Sequence, residues 1–213
     1  MTFIIAIQLE DSVIIAADNR SVKIDKDGNI LSFSDGMTKL YLWENGVITG
    51  AGEVTLIYRA IDFFIKLAKS KIETLPKCLK ISRMLRELEV ENFQIQITKL
   101  LYSYNQPNKI QLYSIQPDHC GEYQVKACEE NEILIWLFSP HVEAITPLLK
   151  KLYSNLRSRH SFNQKSEWFE CYIIDLCEIF KIQAGCDSMM SCSFSYVFQS
   201  KEDYIFGHTL NIH

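Results

Sequence analysis

Residues 2–20 read TFIIAIQLEDSVIIAADNR, a largely apolar stretch with one polar segment near its middle. Two runs within it, 2–9 and 13–18, are rich in β-branched and other apolar residues and predict two strands. The polar segment Glu10-Asp11-Ser12 between them is typical of a tight hairpin. We therefore expect the chain to begin inside an antiparallel sheet.

The rest of the chain alternates between hairpin, helix and strand patterns. Asp27-Gly28 and Asn45-Gly46 predict two further hairpins, because both dipeptides readily adopt the positive φ angles of two-residue turns. The apolar spacing then predicts helices over 53–70, 76–91, 140–157 and 166–183, and strands over 93–103, 109–116, 122–127, 132–138, 192–200 and 203–209.

This order of elements predicts both the domain organisation and the layers. No linker or repeat interrupts it, so we expect a single domain over residues 1–213. Strand blocks that alternate with helix pairs predict an α+β fold. We expect a four-layer αββα sandwich, with two antiparallel sheets between two helix layers.

Composition and charge exclude several classes of function. The chain has 213 residues, 47% hydrophobic and 23% charged, with a net charge of -4. No nucleic-acid surface is therefore expected, and the apolar runs are too short to cross a membrane. Seven cysteines without a C-x-x-C pair predict reduced thiols and a cytoplasmic location. No metal or cofactor is expected, because no histidine has metal-ligand spacing to a cysteine or carboxylate.

Three residues and one glycine-containing tripeptide at predicted strand ends carry a family resemblance. Thr2 opens the first strand and Asp18 ends the second, while Lys39 opens a later strand and Gly50-Ala51-Gly52 precedes the first helix. Each has an ordinary strand or turn role when taken alone. Together, across about the first 70 residues, they resemble the proteasome β-subunit family and its simpler bacterial relatives, which are N-terminal-nucleophile (Ntn) hydrolases. The resemblance implies the four-layer fold of those enzymes.

The resemblance also implies a catalytic role for each residue. Thr2, once Met1 is removed, would attack a substrate carbonyl with its hydroxyl while its own α-amine takes the proton. An α-amine titrates near about pH 8, so it can act as a base. Lys39 would favour deprotonation as a neighbouring cation, and Asp18 would hold Lys39 in place. The backbone N–H of Gly52 would face the developing oxyanion.

Further catalytic residues are implied in the second half of the chain. Ser139 resembles the family's catalytic serine, although Phe138 and Pro140 replace the glycines that usually flank it. The family also has an Asp and a Ser three residues apart near the nucleophile. Here Asp187 and Ser191 are four apart, and Ser188 has the right spacing to Ser191, so either Asp187 or Ser188 takes the first place.

A peptide-binding segment is implied between the second strand and Lys39. Backbone groups of Ser21 and Val22 would pair with an extended peptide as an added strand. Arg20 and Gly50 are the other two residues assigned to substrate binding.

These implications predict a threonine peptidase that acts on peptides or unfolded proteins. It would work as a homo-oligomeric ring or barrel, and the residues identify no ATPase partner. Two alternatives stay open. One is a catalytically silent subunit that serves assembly or scaffolding, and the other is an Ntn amidohydrolase with a small-molecule substrate.

Overall fold

The secondary structure is that of a computed structural model, which describes residues 2–24, 30–137 and 142–210. The described residues form four α-helices: α1 (Val54–Asp62), α2 (Leu75–Glu89), α3 (Thr146–Ser154) and α4 (Lys165–Cys186). They also form twelve strands: β1 (Ile4–Gln8), β2 (Ser12–Asp18), β3 (Ser21–Ile24), β4 (Ile30–Ser34), β5 (Tyr41–Trp43), β6 (Gly46–Ala51), β7 (Lys99–Asn105), β8 (Ile110–Pro117), β9 (Tyr123–Ala127), β10 (Glu132–Trp136), β11 (Phe194–Ser200) and β12 (Tyr204–His208). The predicted Asp27-Gly28 turn and the predicted helix start at Pro140 lie outside these residues.

The strands pair antiparallel and build three sheets within the described residues. One five-stranded sheet has the order β10-β1-β2-β11-β12, the other has the order β5-β6-β7-β8-β9, and β3 pairs with β4. In the first sheet, Ile4 of β1 lies opposite Ala17 of β2 on one side and Trp136 of β10 on the other. Strand β1 is therefore held on both edges, as the N-terminal hairpin pattern predicts for a buried strand.

The third sheet corrects the predicted four-layer αββα sandwich. Strand β4 is exposed at every residue and pairs with β3. A strand without a buried face has no apolar surface to pack into a layer. The prediction of two antiparallel sheets between two helix layers is therefore wrong: the described chain has three antiparallel sheets and four α-helices.

Three hydrophobic clusters hold these elements together. The first includes β1, β2, β11, α3 and α4, and its largest fully buried side chain is Trp168. The second joins β1 and β2 to strands β6 to β8 of the other large sheet and includes Ile15. The third includes β6 to β8, α1, α2 and the buried Phe64. Full burial of each such side chain stabilises the fold by about 2–3 kcal/mol.

The helices differ from their predicted lengths. The predicted helix over 53–70 is shorter, because α1 passes into a π-helical turn at Phe63–Leu67. Lys69 and Ser70 then have φ angles of 50° and 54°, left-handed values that end the helix. Among the described residues, no helix combines the length and the apolar character that crossing a bilayer requires.

The β1–β2 turn is tied to the distant segment before α4 through Asp11. Its carboxylate accepts hydrogen bonds at 2.8 Å from the backbone N–H groups of Arg159 and His160. Burial alone would raise the pKa of Asp11, but these two bonds, that from Ser12 and the nearby His160 side chain together lower it. The ionised form is therefore the one that the folded state stabilises.

We expect Asp11→Asn to lower the free energy of unfolding by about 1–2 kcal/mol at neutral pH, since the amide cannot accept both bonds equally well. Because the folded-state pKa is depressed, this contribution is present above the ordinary Asp pKa and is lost as pH falls through the folded value. Denaturant titrations of the wild type and the variant should therefore converge in acid. Glu10→Gln, at the exposed neighbour, is the control and should change little.

Candidate active site

Strand β1 places Thr2 beside the end of β2. The backbone N–H of Phe3 donates to Asp18 Oδ1 at 2.8 Å, and the backbone N–H of Asp18 donates to the Phe3 carbonyl at 3.0 Å. These two bonds hold the residue that follows Thr2 against the carboxylate at the end of β2. Thr2 itself is half-buried and precedes the strand.

Asp18 and Lys39 form a buried ion pair. Lys39 Nζ lies 2.7 Å from Asp18 Oδ1, and the two residues are 5% and 0% exposed. Burial lowers the pKa of Lys39, and the charge of Asp18 opposes that shift. Asp18 Oδ2 also accepts from the backbone N–H of Arg20 at 3.0 Å, so both carboxylate oxygens have donors. The predicted contact between Asp18 and Lys39 is found.

Thr2 lines two separate cavities. The first, which we call the Lys39 cavity, is lined by Thr2, Lys39, Gly50 and four apolar or aromatic residues: Met37, Tyr41, Val54 and Ile57. Thr2 and Lys39 therefore line the same cavity. A threonine hydroxyl next to a cation is easier to deprotonate, because the cation stabilises the alkoxide.

The second cavity, which we call the Lys99 cavity, has a volume of about 190 Å³ and includes Thr2 and Gly52 in its lining. Gly52 has a φ of +122°, a backbone conformation that side chains rarely adopt. A Cβ at this position would lie 2.4 Å from Thr98 Oγ1 and 2.5 Å from Thr98 Cα. The threonine is held in turn by hydrogen bonds to the Glu53 backbone N–H and the Gln94 carbonyl.

Gly52→Ala is expected to lower the free energy of unfolding by about 2–4 kcal/mol, since the new methyl group meets a backbone atom that cannot rotate away. Gly36→Ala is the matched control. Gly36 also has a positive φ, +92°, but a Cβ there would meet nothing within 4 Å. Gly36→Ala should lower the free energy of unfolding only by the backbone strain, about 1 kcal/mol. Equal losses of unfolding free energy for the two variants in denaturant titrations would show that the contact with Thr98 is unimportant.

The segment after α4 brings Ser191 to the end of β2. Ser191 Oγ accepts from the backbone N–H of Asn19 at 3.1 Å and donates to the Ser193 carbonyl at 2.8 Å. Asp187 caps the end of α4 and is 7% exposed, and its side chain accepts from the backbone N–H of Met189. Ser191 therefore adjoins the site through Asn19, whereas the Asp187 bond is local. Ser139 lies outside the described residues.

The predicted peptide-binding segment is partly occupied by the chain itself. Strand β3 begins at Ser21 and pairs along one edge with β4, with Val22 opposite Phe33. The Arg20 guanidinium forms an ion pair with Asp35 at 2.7 Å. One edge of β3 and the Arg20 head group are thus already engaged.

A possible metal site was missed at the β8–β9 turn. The ligand atoms of Asp118, His119 and Cys120 lie within 4.8 Å of one another. This arrangement contradicts the prediction that no histidine has metal-ligand spacing to a cysteine or carboxylate. Asp118 Oδ1 already accepts from the backbone N–H groups of Cys120 and Glu122, a bonding pattern that explains this turn without an ion.

No family model matches the chain, and no curated protein matches its sequence.

Solved structures share its fold. An Anbu Gly-1 mutant from Hyphomicrobium sp. strain MC1 is 13% identical, with 98% of this chain and 86% of that chain covered and a TM-score of 0.66. Anbu from Yersinia bercovieri, described as an ancestral beta-subunit, is 10% identical over 96% and 86% of the two chains, with a TM-score of 0.65. A helical assembly of the Anbu complex from Pseudomonas aeruginosa is 11% identical, with 97% of this chain and 86% of that chain covered and a TM-score of 0.69.

These comparisons correct the family resemblance. The structural neighbours are Anbu proteins, which are proteasome-like but form a distinct family, and no sequence match supports assignment to the Ntn proteasome β-subunits. Short motifs such as Ala16-Ala17-Asp18 mark the ends of strands. Distinct families with the same fold can share such motifs. At identities of 10–13% the likeness shows the fold alone.

Proposed function

We propose that this chain is a proteasome-like subunit that hydrolyses amide bonds of peptides with Thr2 as the nucleophile. The observation that carries the proposal is the buried Asp18–Lys39 pair, whose lysine lines the Lys39 cavity together with Thr2. A buried ion pair is weak evidence for stability, because desolvation offsets much of the attraction. A role in chemistry accounts for a buried lysine in the cavity that Thr2 lines.

The proposed reaction is acyl transfer in two steps. With Met1 removed, the Thr2 hydroxyl attacks the scissile carbonyl and its proton passes to the Thr2 α-amine, which returns it to the leaving amine. Water then attacks the resulting ester, releases the acid and restores the hydroxyl. Lys39 stabilises the oxygen anion in both steps, and the Gly52 backbone N–H is assigned to the tetrahedral oxyanion.

We further propose that copies of the chain assemble with one another. The Pseudomonas aeruginosa Anbu complex, which shares the fold, is described as a helical assembly. On this chain, α2 has an exposed apolar stripe of Ile81, Met84, Leu85 and Leu88 at helical spacing. The most exposed of the four is Leu88, at 86%. An exposed apolar stripe of this kind is typical of a surface that a partner covers.

The assembly proposal predicts a mass in solution well above the 24.7 kDa of one chain. Light scattering coupled to gel filtration should show this mass for the wild type. Leu88→Glu should lower it, because a charge would be buried at the interface. Leu67→Glu, at a residue that is also strongly exposed and lies outside α2, is the matched control. A wild-type monomer at all concentrations would contradict assembly.

The experiment that tests the proposed function starts from protein expressed with its native N-terminus. Intact mass should show loss of one methionine, since a small residue such as threonine follows it. The processed protein should then cleave members of a broad panel of internally quenched peptides. Processed protein that cleaves none of them would favour the silent assembly subunit.

A further inference from the structure

Lys99 brings a positive charge to the Lys99 cavity, and that charge has no role in the proposed reaction. Lys99 lies in β7 opposite Ala51, the residue before Gly52, and its side chain lines the cavity that includes Thr2. The remaining wall includes the apolar or aromatic residues Ile97, Trp136 and Leu137 and the polar Gln94. The cavity thus presents one cation near apolar side chains and the nucleophile.

Lys99 differs from Lys39 in having no carboxylate partner among the described residues. Its Nζ lies 4.4 Å from the ring centroid of Trp136, and the tryptophan is buried. Lys99 is itself half-buried, and burial lowers its pKa. A cation–π contact offsets only part of the cost of desolvating an ammonium group. An anion entering the cavity would offset the rest.

We propose that the Lys99 cavity binds a carboxylate side chain of the substrate, so that the enzyme prefers peptides with an acidic residue next to the cleaved bond. Lys99 supplies the charge, and the apolar wall of Ile97, Trp136 and Leu137 accommodates the methylene stem of a glutamate. This inference deepens the proposed function and rests on it. Lys99 is a specificity-determining residue in this account and takes no part in the bond-breaking steps.

A role for Lys99 in packing alone is the competing explanation. The aliphatic stem of a lysine can cover an aromatic ring without any use of its charge. Methionine has a similar length and is neutral, so it would cover Trp136 equally well. Lys99→Met therefore separates the two explanations: it keeps the packing and removes the charge.

The test uses internally quenched peptides in matched pairs that differ by one Glu or Gln, placed in turn at each position on both sides of the cleaved bond. For the wild type, kcat/KM should favour Glu over Gln by about tenfold at one position. Lys99→Met should reduce that ratio to below about twofold, Lys99→Arg should retain it, and Lys99→Glu should invert it.

Lys126→Met is the matched control, because Lys126 is an exposed lysine in β9 of the same sheet and does not line the cavity. It should keep the wild-type Glu preference. Cleavage by the wild type without a Glu preference at any position would overturn the inference and leave the proposed function standing. Equal losses of cleavage for Glu and Gln peptides in Lys99→Met would overturn it too, because the charge would then serve the reaction.

Binding measurements separate failure of this inference from failure of the proposed function. Calorimetric titration of Thr2→Ala protein with the same peptides needs no hydrolysis. The Glu peptide should bind about tenfold more tightly than its Gln partner, and Lys99→Met should abolish the difference. If the wild type cleaves nothing but this difference is found, the cavity inference stands without the peptidase. Equal binding of both peptides overturns the inference.

Discussion

Thr2→Ala is expected to eliminate peptide cleavage, whereas Thr2→Ser is expected to retain a measurable fraction. Serine keeps the hydroxyl beside a free α-amine and loses only the methyl group that restricts the χ1 rotamer. Alanine keeps the amine and removes the nucleophile. We expect the fall in kcat/KM for Thr2→Ala to be at least about 1,000-fold, with the free energy of unfolding nearly unchanged.

The comparison requires identical processing of all three proteins. Intact mass must show that Met1 is absent from wild type, serine and alanine forms alike, since a retained methionine blocks the amine and mimics inactivity. Cleavage by processed Thr2→Ala at the wild-type rate would place the chemistry at another residue.

Lys39→Arg is expected to lower kcat/KM by at least about 100-fold, although it conserves the charge. The planar guanidinium is larger than an ammonium group and cannot take its place beside Thr2 in the narrow Lys39 cavity. Peptide cleavage assays and denaturant titrations on the same preparation would show whether the loss is catalytic. A rate near that of the wild type would remove Lys39 from the mechanism.

A double variant separates catalysis by Lys39 from its structural effect. Lys39→Met alone leaves Asp18 buried and unpaired, so it should lower the free energy of unfolding by about 3–5 kcal/mol. Adding Asp18→Asn removes the uncompensated charge and leaves an amide oxygen to accept from Phe3. The double variant should regain part of the stability, since the amide can accept from only one of the Phe3 and Arg20 N–H groups, while remaining inactive. Recovery of cleavage together with stability would show that the ion pair is purely structural.

The N-terminal part of the fold could be predicted because its signals are local. The two apolar runs and the polar turn at Glu10-Asp11-Ser12 predict β1 and β2 close to their observed bounds. The third sheet could not be predicted, since a hairpin pattern does not say whether a strand packs into a layer, and the apolar residues of β4 remain exposed. Lys39 was expected to open a strand, but β5 begins at Tyr41.

The candidate site was predictable only where single residues carry the chemistry. The Asp18–Lys39 contact was implied by the family resemblance and is found in the structure. Lys99 was missed because its place beside Gly52 depends on the register of β6 with β7, which pairs residues 48 positions apart. Thr98 was missed for the same reason: no local pattern marks its close approach to Gly52, which leaves no room for a Cβ there.

The most direct test of the central claim is mass spectrometry of the natively processed wild type after treatment with an inhibitor that bridges a hydroxyl and an α-amine. We expect the mass of the chain without Met1 plus one inhibitor, with fragmentation placing the adduct on Thr2 and none forming on Thr2→Ala. Retention of Met1, or an adduct on any residue other than Thr2, would contradict it.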